Sequence, residues 1–282
     1  AMIIVAGEEG RLPADMRGGA VALGNFDGVH RGHQAVIGAA RATALTAGRP
    51  TLVATFDPHP SRHFRPDTPP FALTSLPQKL ELLAGLGVDA AVVIPFNAAL
   101  AGLSADAFAD IWLADRMGVS HVVTGEDFTF GKGRSGNAAT LAELGRSRGF
   151  TAAALSAITA GAETVSSTRT RQALADGDMA EAARLLTRPF TIVAPVVHGD
   201  KRGRTIGVPT ANQELGGYMR PRYGVYAVRV TLPDGSRAAG VANLGVRPMF
   251  EPPKELLETW IFDWSGDLYG QPLAVELVGW IR

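Results

Sequence analysis

The spacing of apolar and polar positions changes part-way along the chain. Residues 19–24 (Gly-Ala-Val-Ala-Leu-Gly) form a short continuous apolar run, the pattern of a strand buried on both faces. From Arg31 to about Ala47 the apolar residues return at helical spacing, and Gly48 ends the stretch. A second strand, Thr51–Phe56, stops at Asp57-Pro58-His59-Pro60. The pattern then predicts a helix at about Gln78–Leu86, a strand at Ala90–Ile94, a helix at Ala105–Arg116 and a strand at His121–Thr124. A helix at Ala139–Arg148 and a strand at Thr151–Leu155 follow. Such alternation predicts right-handed crossovers and a parallel sheet, so the first half reads as a doubly wound, Rossmann-like α/β domain.

Two short helices, at about Arg169–Asp176 and Met179–Leu186, lead into a different texture. From Phe190 onward, runs rich in Val, Ile, Tyr and Trp recur at Thr191–Val197, Gly224–Leu232, Arg237–Asn243, Leu257–Asp263 and Leu273–Ile281. Turn signals such as Pro233-Asp234-Gly235 and Ser265-Gly266-Asp267 separate them, which predicts a small antiparallel barrel or sandwich. The texture changes near Thr187-Arg188-Pro189, so domains of 1–187 and 188–282 are expected. No internal repeat interrupts either half.

Composition narrows the function classes. With 27 basic and 27 acidic residues the formal charge is zero, and no basic run exceeds two residues. This argues against a dedicated nucleic-acid or polybasic membrane binder. The absence of cysteine removes disulfide scaffolds, thiolate zinc sites and cysteine nucleophiles, and fits a reducing cytoplasm. Ala1 to Ala6 lacks a basic n-region and runs into Glu8-Glu9, unlike a secretory signal. No apolar run approaches the roughly 20 residues of a membrane span, so a soluble protein is expected.

Three chemical signals are set aside. Gly85-Leu86-Gly87 follows a helix and enters a strand, the reverse of a dinucleotide fingerprint. His59 and His63 stand four apart like helical zinc ligands, but Pro58 and Pro60 speak against a regular helix there. Neither His-Glu-x-x-His nor a Walker-type phosphate loop occurs.

Two stronger constellations remain in the first half. The opening strand runs into Gly24-Asn25-Phe26-Asp27-Gly28-Val29-His30-Arg31-Gly32-His33. The two histidines lie three apart where a helix begins, the end whose N–H groups and dipole favour anions. Imidazoles there could donate to phosphate oxygens, or simply cap the helix. Val165-Ser166-Ser167-Thr168-Arg169-Thr170-Arg171 sets hydroxyls at an N-cap with arginines in the first turn, a second anion-binding pattern. An arginine at the positive end of a helix calls for a compensating anion. Thr124 to Gly131 follows another strand's C-terminal end, where open α/β sheets bind ligands.

Together with Thr55-Phe56-Asp57-Pro58-His59-Pro60, these strings resemble the bifunctional bacterial riboflavin kinase/FMN adenylyltransferases. The resemblance implies a nucleotidyltransferase domain making FAD and pyrophosphate from FMN and ATP. In it His30 and His33 act on the ATP phosphates, and Gly24, Asn25, Phe26 and Gly28 belong to the same phosphate loop. Ser166, Ser167, Thr168 and Arg171 grip the triphosphate, while Asp57, Pro58, His59 and Asp127 line the flavin side. Thr170 stands where the family usually has an apolar residue.

In the second half, Gly199 to Asn212 is glycine-rich and basic and ends in Pro209-Thr210-Ala211-Asn212. Such a segment could cradle phosphates or be a loop between strands, and Thr and Asn oxygens suit Mg²⁺. With Tyr223-Gly224-Val225-Tyr226, Gly240 to Pro248, Glu258 and Gly266 to Gly270, it looks like the riboflavin kinase module, a Greek-key β-barrel. The resemblance implies that Gly199, Arg202, Gly203 and Arg204 lie over ATP phosphates and that Thr210 and Asn212 hold the Mg²⁺ of MgATP. It makes Glu258 the general base and places Arg247 in the active-site lining. Thr187 and Ala194-Pro195 depart from the family pattern, and a C-terminal helix would be expected beyond Arg282. The alternative is a monofunctional adenylyltransferase with a silent flavin-binding barrel. Small molecules (ATP, riboflavin and FMN) are the expected partners, with no nucleic acid or membrane.

Overall fold

The computed structural model describes residues 1–199 and 210–282. Strands β1 (Ile3–Ala6), β2 (Ala20–Leu23), β3 (Thr51–Asp57), β4 (Ala90–Pro95), β5 (His121–Gly125) and β6 (Thr151–Leu155) form one parallel sheet in the order β1-β4-β3-β2-β5-β6. Helices α1 (Arg31–Ala47), α2 (Pro60–Phe64), α3 (Leu76–Gly85), α4 (Ala98–Ala101), α5 (Ala105–Phe108) and α6 (Ala138–Arg148) connect them. Alternate strand residues serve opposite layers, as a period of two requires. Ala22, Val53, Ala91 and Val123 pack with Val36, Ile37, Ala40 and Leu83 of α1 and α3. Val21, Leu23, Leu52 and Ala54 pack with Phe108, Trp112, Leu113 and Leu141 on the other face. The sheet is therefore doubly wound, and its order reverses between β2 and β5.

Three local features depart from the sequence reading. The edge strand β1 pairs with β4 where no strand was expected. The helix expected over Ala105–Arg116 changes pitch after α5 and continues as a π-helix over Ala109–Arg116. Contrary to the expectation that Pro58 and Pro60 bar a helix, α2 forms. His59 caps it by accepting the Ser61 N–H at 3.1 Å, and Pro60 sits in its first turn, where a missing N–H costs no helical bond.

After a two-strand hairpin, β7 (Thr159–Ala160) and β8 (Glu163–Thr164), come α7 (Ser167–Asp176) and α8 (Met179–Leu186). Contacts divide the chain into one unit of residues 1–68 and 76–165 and a second of 69–75 and 166–282. The texture of the sequence changes near residue 187, but the packing divides after Val165. The physical reason is that α7 and α8 bury Ala173, Leu174, Met179, Ala182 and Leu186 in the core of the strands that follow them.

Those strands are β9 (Phe190–Pro195), β10 (Ala211–Gln213), β11 (Gly224–Thr231), β12 (Arg237–Arg247), β13 (Lys254–Ile261) and β14 (Pro272–Trp280). They form an antiparallel sheet in the order β10-β13-β12-β11-β14-β9. Just beyond β9, the Val197 N–H donates to the Asn212 carbonyl at 2.8 Å, so the last strand meets the first and the sheet curls into a barrel. The Gln213 amide reinforces the seam by donating to the Ala194 and Leu273 carbonyls, both at 2.8 Å. Among the described residues no helix is long and apolar enough to cross a membrane.

Candidate active sites

In the first unit the sheet reverses between β2 and β5, and the crevice beyond their C-terminal ends is where such sheets take ligands. The loop after β2 carries Gly24, Asn25, Phe26, Asp27 and Gly28 into α1. It is strained: Phe26 and the β-branched Val29 have φ of 51° and 44°, in the left-handed region that such residues avoid. Strain of this kind persists where a site over-determines the backbone.

His30 is the N-cap of α1, its Nδ1 accepting the N–H groups of Gly32 at 3.0 Å and His33 at 3.2 Å. His33 reciprocates, its Nδ1 accepting the His30 N–H at 3.3 Å. The two readings of this pair, helix cap and phosphate donor, are therefore compatible. A ring whose Nδ1 accepts carries its proton on Nε2, a tautomer assigned from these bonds. Both rings thus present an Nε2–H, stacked with centroids 3.5 Å apart, at the N-terminal end of a 17-residue helix. Fixed donors at a helix N-terminus suit charge that builds on phosphate oxygens.

Beside this loop a cavity of about 540 Å³ opens, lined by Asn25, His59, Phe56, Phe64, Phe96, Phe108, Phe128 and Phe130, with Arg65 and Arg134 among its cations. Phe56 meets Phe96 edge-on at 5.9 Å and Phe128 stacks on Phe130 at 6.1 Å. Six of the chain's 12 phenylalanines converge here, so the lining suits a flat aromatic ligand. The side chains of Asn25 and Thr124 each leave a buried oxygen without a partner among the described residues. His59 lines the cavity, whereas Asp57, Pro58 and Asp127 are exposed and lie outside its lining.

In the second unit Ser166 caps α7, its hydroxyl accepting the Arg169 N–H at 3.1 Å, with Ser167 and Thr168 in the first turn. Arg169 does not depend on an external anion: Glu181 of α8 pairs with it at 2.7 Å. Arg171 donates from Nε to the Phe71 carbonyl at 2.9 Å and stacks on that ring. Thr170 is buried and its hydroxyl donates to the Ser166 carbonyl at 2.9 Å, which satisfies the polar group at a position where apolar residues are usual.

Across the barrel, Asn212 of β10 and Asn243 of β12 lie opposite Glu258 of β13 on either side. Directly opposed residues share a face, so the register itself assembles this row. Arg247 engages both carboxylate oxygens of Glu258, at 3.0 and 3.1 Å. Asn212 is 5% exposed, and its buried Oδ1 has no hydrogen-bond partner among the described residues. Gly199 passes so close that a Cβ there would overlap the Asn212 amide. Thr210 is exposed two residues before Asn212, while Arg202, Gly203 and Arg204 lie outside the described residues.

Each unit matches a known family: an FAD synthetase profile covers residues 12–169 and a riboflavin kinase profile covers residues 186–282. The chain belongs to the bifunctional riboflavin kinase/FMN adenylyltransferase family. The relative of that name from Pseudomonas fluorescens is 43% identical over 265 residues, spanning 94% of this chain and 85% of its own. The one from Escherichia coli K12 is 39% identical over 281 residues, covering all of this chain and 90% of its own. Among solved structures, one titled a macrolide-efflux protein from Streptococcus pneumoniae superposes with a TM-score of 0.87 at 30% identity, over 100% of this chain and 91% of that one.

Within this riboflavin kinase/FMN adenylyltransferase, the motifs held the capped histidines, Asn212 and Glu258, but only half of the phenylalanines of the aromatic cavity. Phe56, Phe128 and Phe130 stood inside motifs; Phe64, Phe96 and Phe108 stood in none, and the six meet only through the fold. The available signal was their concentration in the first unit of a chain only 7% aromatic.

Proposed function

We infer that this protein phosphorylates riboflavin to FMN with ATP and then adenylylates FMN to FAD with release of pyrophosphate. The observation that carries the second activity is the stacked pair of imidazoles with their protons on Nε2, locked by reciprocal capping at the start of α1. In that step an FMN phosphate oxygen bonds to the α-phosphorus of ATP while the bond to the β-phosphate breaks. His30 and His33 donate to the oxygens that gain charge, and Gly24, Asn25, Phe26 and Gly28 keep the backbone close to the phosphates. The aromatic cavity takes the isoalloxazine ring, with His59 at its wall and Asp57, Pro58 and Asp127 in the surrounding loops. Ser166, Ser167, Thr168 and Arg171 serve as a phosphate grip on α7.

For the kinase, Glu258 accepts the proton of the ribityl 5′-hydroxyl as that oxygen bonds to the γ-phosphorus and the bond from the γ-phosphorus to the departing ADP oxygen breaks. Arg247 holds the carboxylate in place. The metal of MgATP enters as part of the substrate. A buried amide oxygen with no partner among the described residues, two positions from an exposed threonine, fits a hard cation, so Asn212 and Thr210 are its holders and Mg²⁺ its identity. Bound there, the ion neutralises phosphate charge. Gly199 lets the chain approach Asn212, and Arg202 and Arg204, either side of Gly203 in sequence, supply cationic cover for the phosphates. The activities divide near residue 187, and a cytoplasmic setting suits a cysteine-free, ATP-consuming enzyme.

The test is chromatography of flavins after incubating the protein and MgATP with riboflavin in one tube and FMN in another. FMN and then FAD should form in the first and FAD in the second. Glu258→Gln should abolish only the riboflavin-dependent step. A wild-type protein that makes FAD from FMN but never FMN from riboflavin would restore the monofunctional alternative.

A further inference from the structure

Beneath the phosphate loop of the first unit lies a buried lysine that neither activity has so far used. Lys79 projects from α3 and is 7% exposed. Its Nζ donates to the Asn25 carbonyl at 3.0 Å and to the Thr55 hydroxyl at 3.1 Å, and that hydroxyl donates to the same carbonyl at 2.9 Å. The three groups close a triangle joining α3, the end of β3 and the first residue beyond Gly24. Burial holds the ammonium below the usual lysine value, against the opposing pull of the Asp27 and Asp57 carboxylates.

A buried strut needs no charge. A methionine would span much of the same reach without the desolvation that an ammonium incurs. What the ammonium adds is a direction for one peptide. The Asn25–Phe26 bond is trans, and in a planar trans peptide the carbonyl and the following N–H point opposite ways. Two donors hold the Asn25 carbonyl toward the interior, so the Phe26 N–H faces away from it. Among the described residues that N–H donates to no backbone carbonyl. Asn25 itself lines the aromatic cavity, and the Phe26 ring meets His33 edge-on at 5.4 Å.

We propose that Lys79 is a positioning residue for adenylyl transfer: by fixing the Asn25 carbonyl it aims the Phe26 N–H at the phosphates of ATP held at His30 and His33. The proposal rests on the adenylyltransferase reading of the first unit. It assigns Lys79 to the ATP side of the reaction and not to the flavin side.

Lys79→Met removes both donors, and Thr55→Val removes one arm of the triangle with little change of volume. Initial rates of FAD formation, with MgATP and FMN varied separately, should show kcat/KM for ATP falling at least about tenfold in Lys79→Met, and by a smaller factor in Thr55→Val. KM for FMN should stay within about twofold, and riboflavin kinase activity of the same preparation should be unchanged. Should Lys79→Met not fold, Thr55→Val decides alone. Unmoved ATP kinetics in the folded variants, or equal losses for ATP and FMN, would overturn the proposal. A wild-type protein that forms no FAD from FMN would overturn the underlying reading as well, which separates the two failures.

Discussion

Replacing His30 separates two roles that one imidazole carries at once. Its Nδ1 accepts two backbone N–H groups at 3.0 and 3.2 Å, which leaves the ring proton on Nε2. Asparagine is among the best N-caps, so His30→Asn keeps the acceptor and discards the Nε2–H donor. His30→Ala loses both. Loss of an N-cap costs about 1 kcal/mol, which for a unit of this size lowers its melting temperature by about 2–4 °C. Because the ring is buried and stacked on His33, the alanine variant should lose at least that much. Removing one donor aimed at a transition-state oxygen costs about 10²–10³ in rate. His30→Asn should therefore melt close to wild type yet form FAD about a hundredfold more slowly, while His30→Ala is equally slow and less stable. Both should phosphorylate riboflavin normally. Differential scanning calorimetry and flavin chromatography on one preparation read both quantities. An asparagine variant with wild-type FAD synthesis would refute the donor role, and one as unstable as alanine would refute the cap.

Asn212→Ala should raise the Mg²⁺ concentration needed for half-maximal kinase activity by about tenfold, the effect of losing one oxygen ligand, and leave adenylylation alone; an unchanged titration sinks the ligand assignment. Phe128→Ala removes a half-buried wall of the aromatic cavity and should raise KM for FMN by about three- to tenfold, the worth of one aromatic contact; ATP kinetics should not move. His121 is held below the usual histidine value by burial, its Nδ1 lying 2.6 Å from the Thr151 hydroxyl. The unfolded chain therefore takes up a proton first as pH falls, so stability present above pH about 6.5 is lost below it. His121→Gln should lessen that loss between pH 7 and 5, and parallel stability curves for the two proteins would exclude this contribution.

Most elements could be read from spacing, because buried parallel strands and capped helices leave strong local marks. Gly48 marked the end of α1, and Gly48 does cap it in a left-handed conformation. What spacing could not supply were features set by partners distant in sequence. β1 is a strand because β4 offers it an edge, and β10 is three residues whose ladder lies on β13. The membership of α7 and α8 in the second unit depends on which core their apolar faces find. At the sites, motifs named residues but not their ties. The carboxylate that compensates Arg169 lies on the next helix, and Lys79 lies 54 residues from the carbonyl it holds.

The meeting of the first and last barrel strands has a dynamic consequence. Asn212 sits on the seam, where a three-residue strand is tied to the chain beyond β9 by an isolated bridge and by the Gln213 amide. Ladders this short open more readily than long ones, so the seam can part while β11, β12 and β13 remain paired. Parting would cost the Asn212 carbonyl its Val197 partner and leave only the three-residue ladder on β13 to set Asn212 opposite Glu258, without unfolding the barrel. By linkage, on the proposal that Asn212 holds the metal of MgATP, the bound nucleotide should hold the seam shut. The Val197 amide, bonded to the Asn212 carbonyl, thus becomes a hydrogen-exchange clock that MgATP slows and riboflavin alone does not.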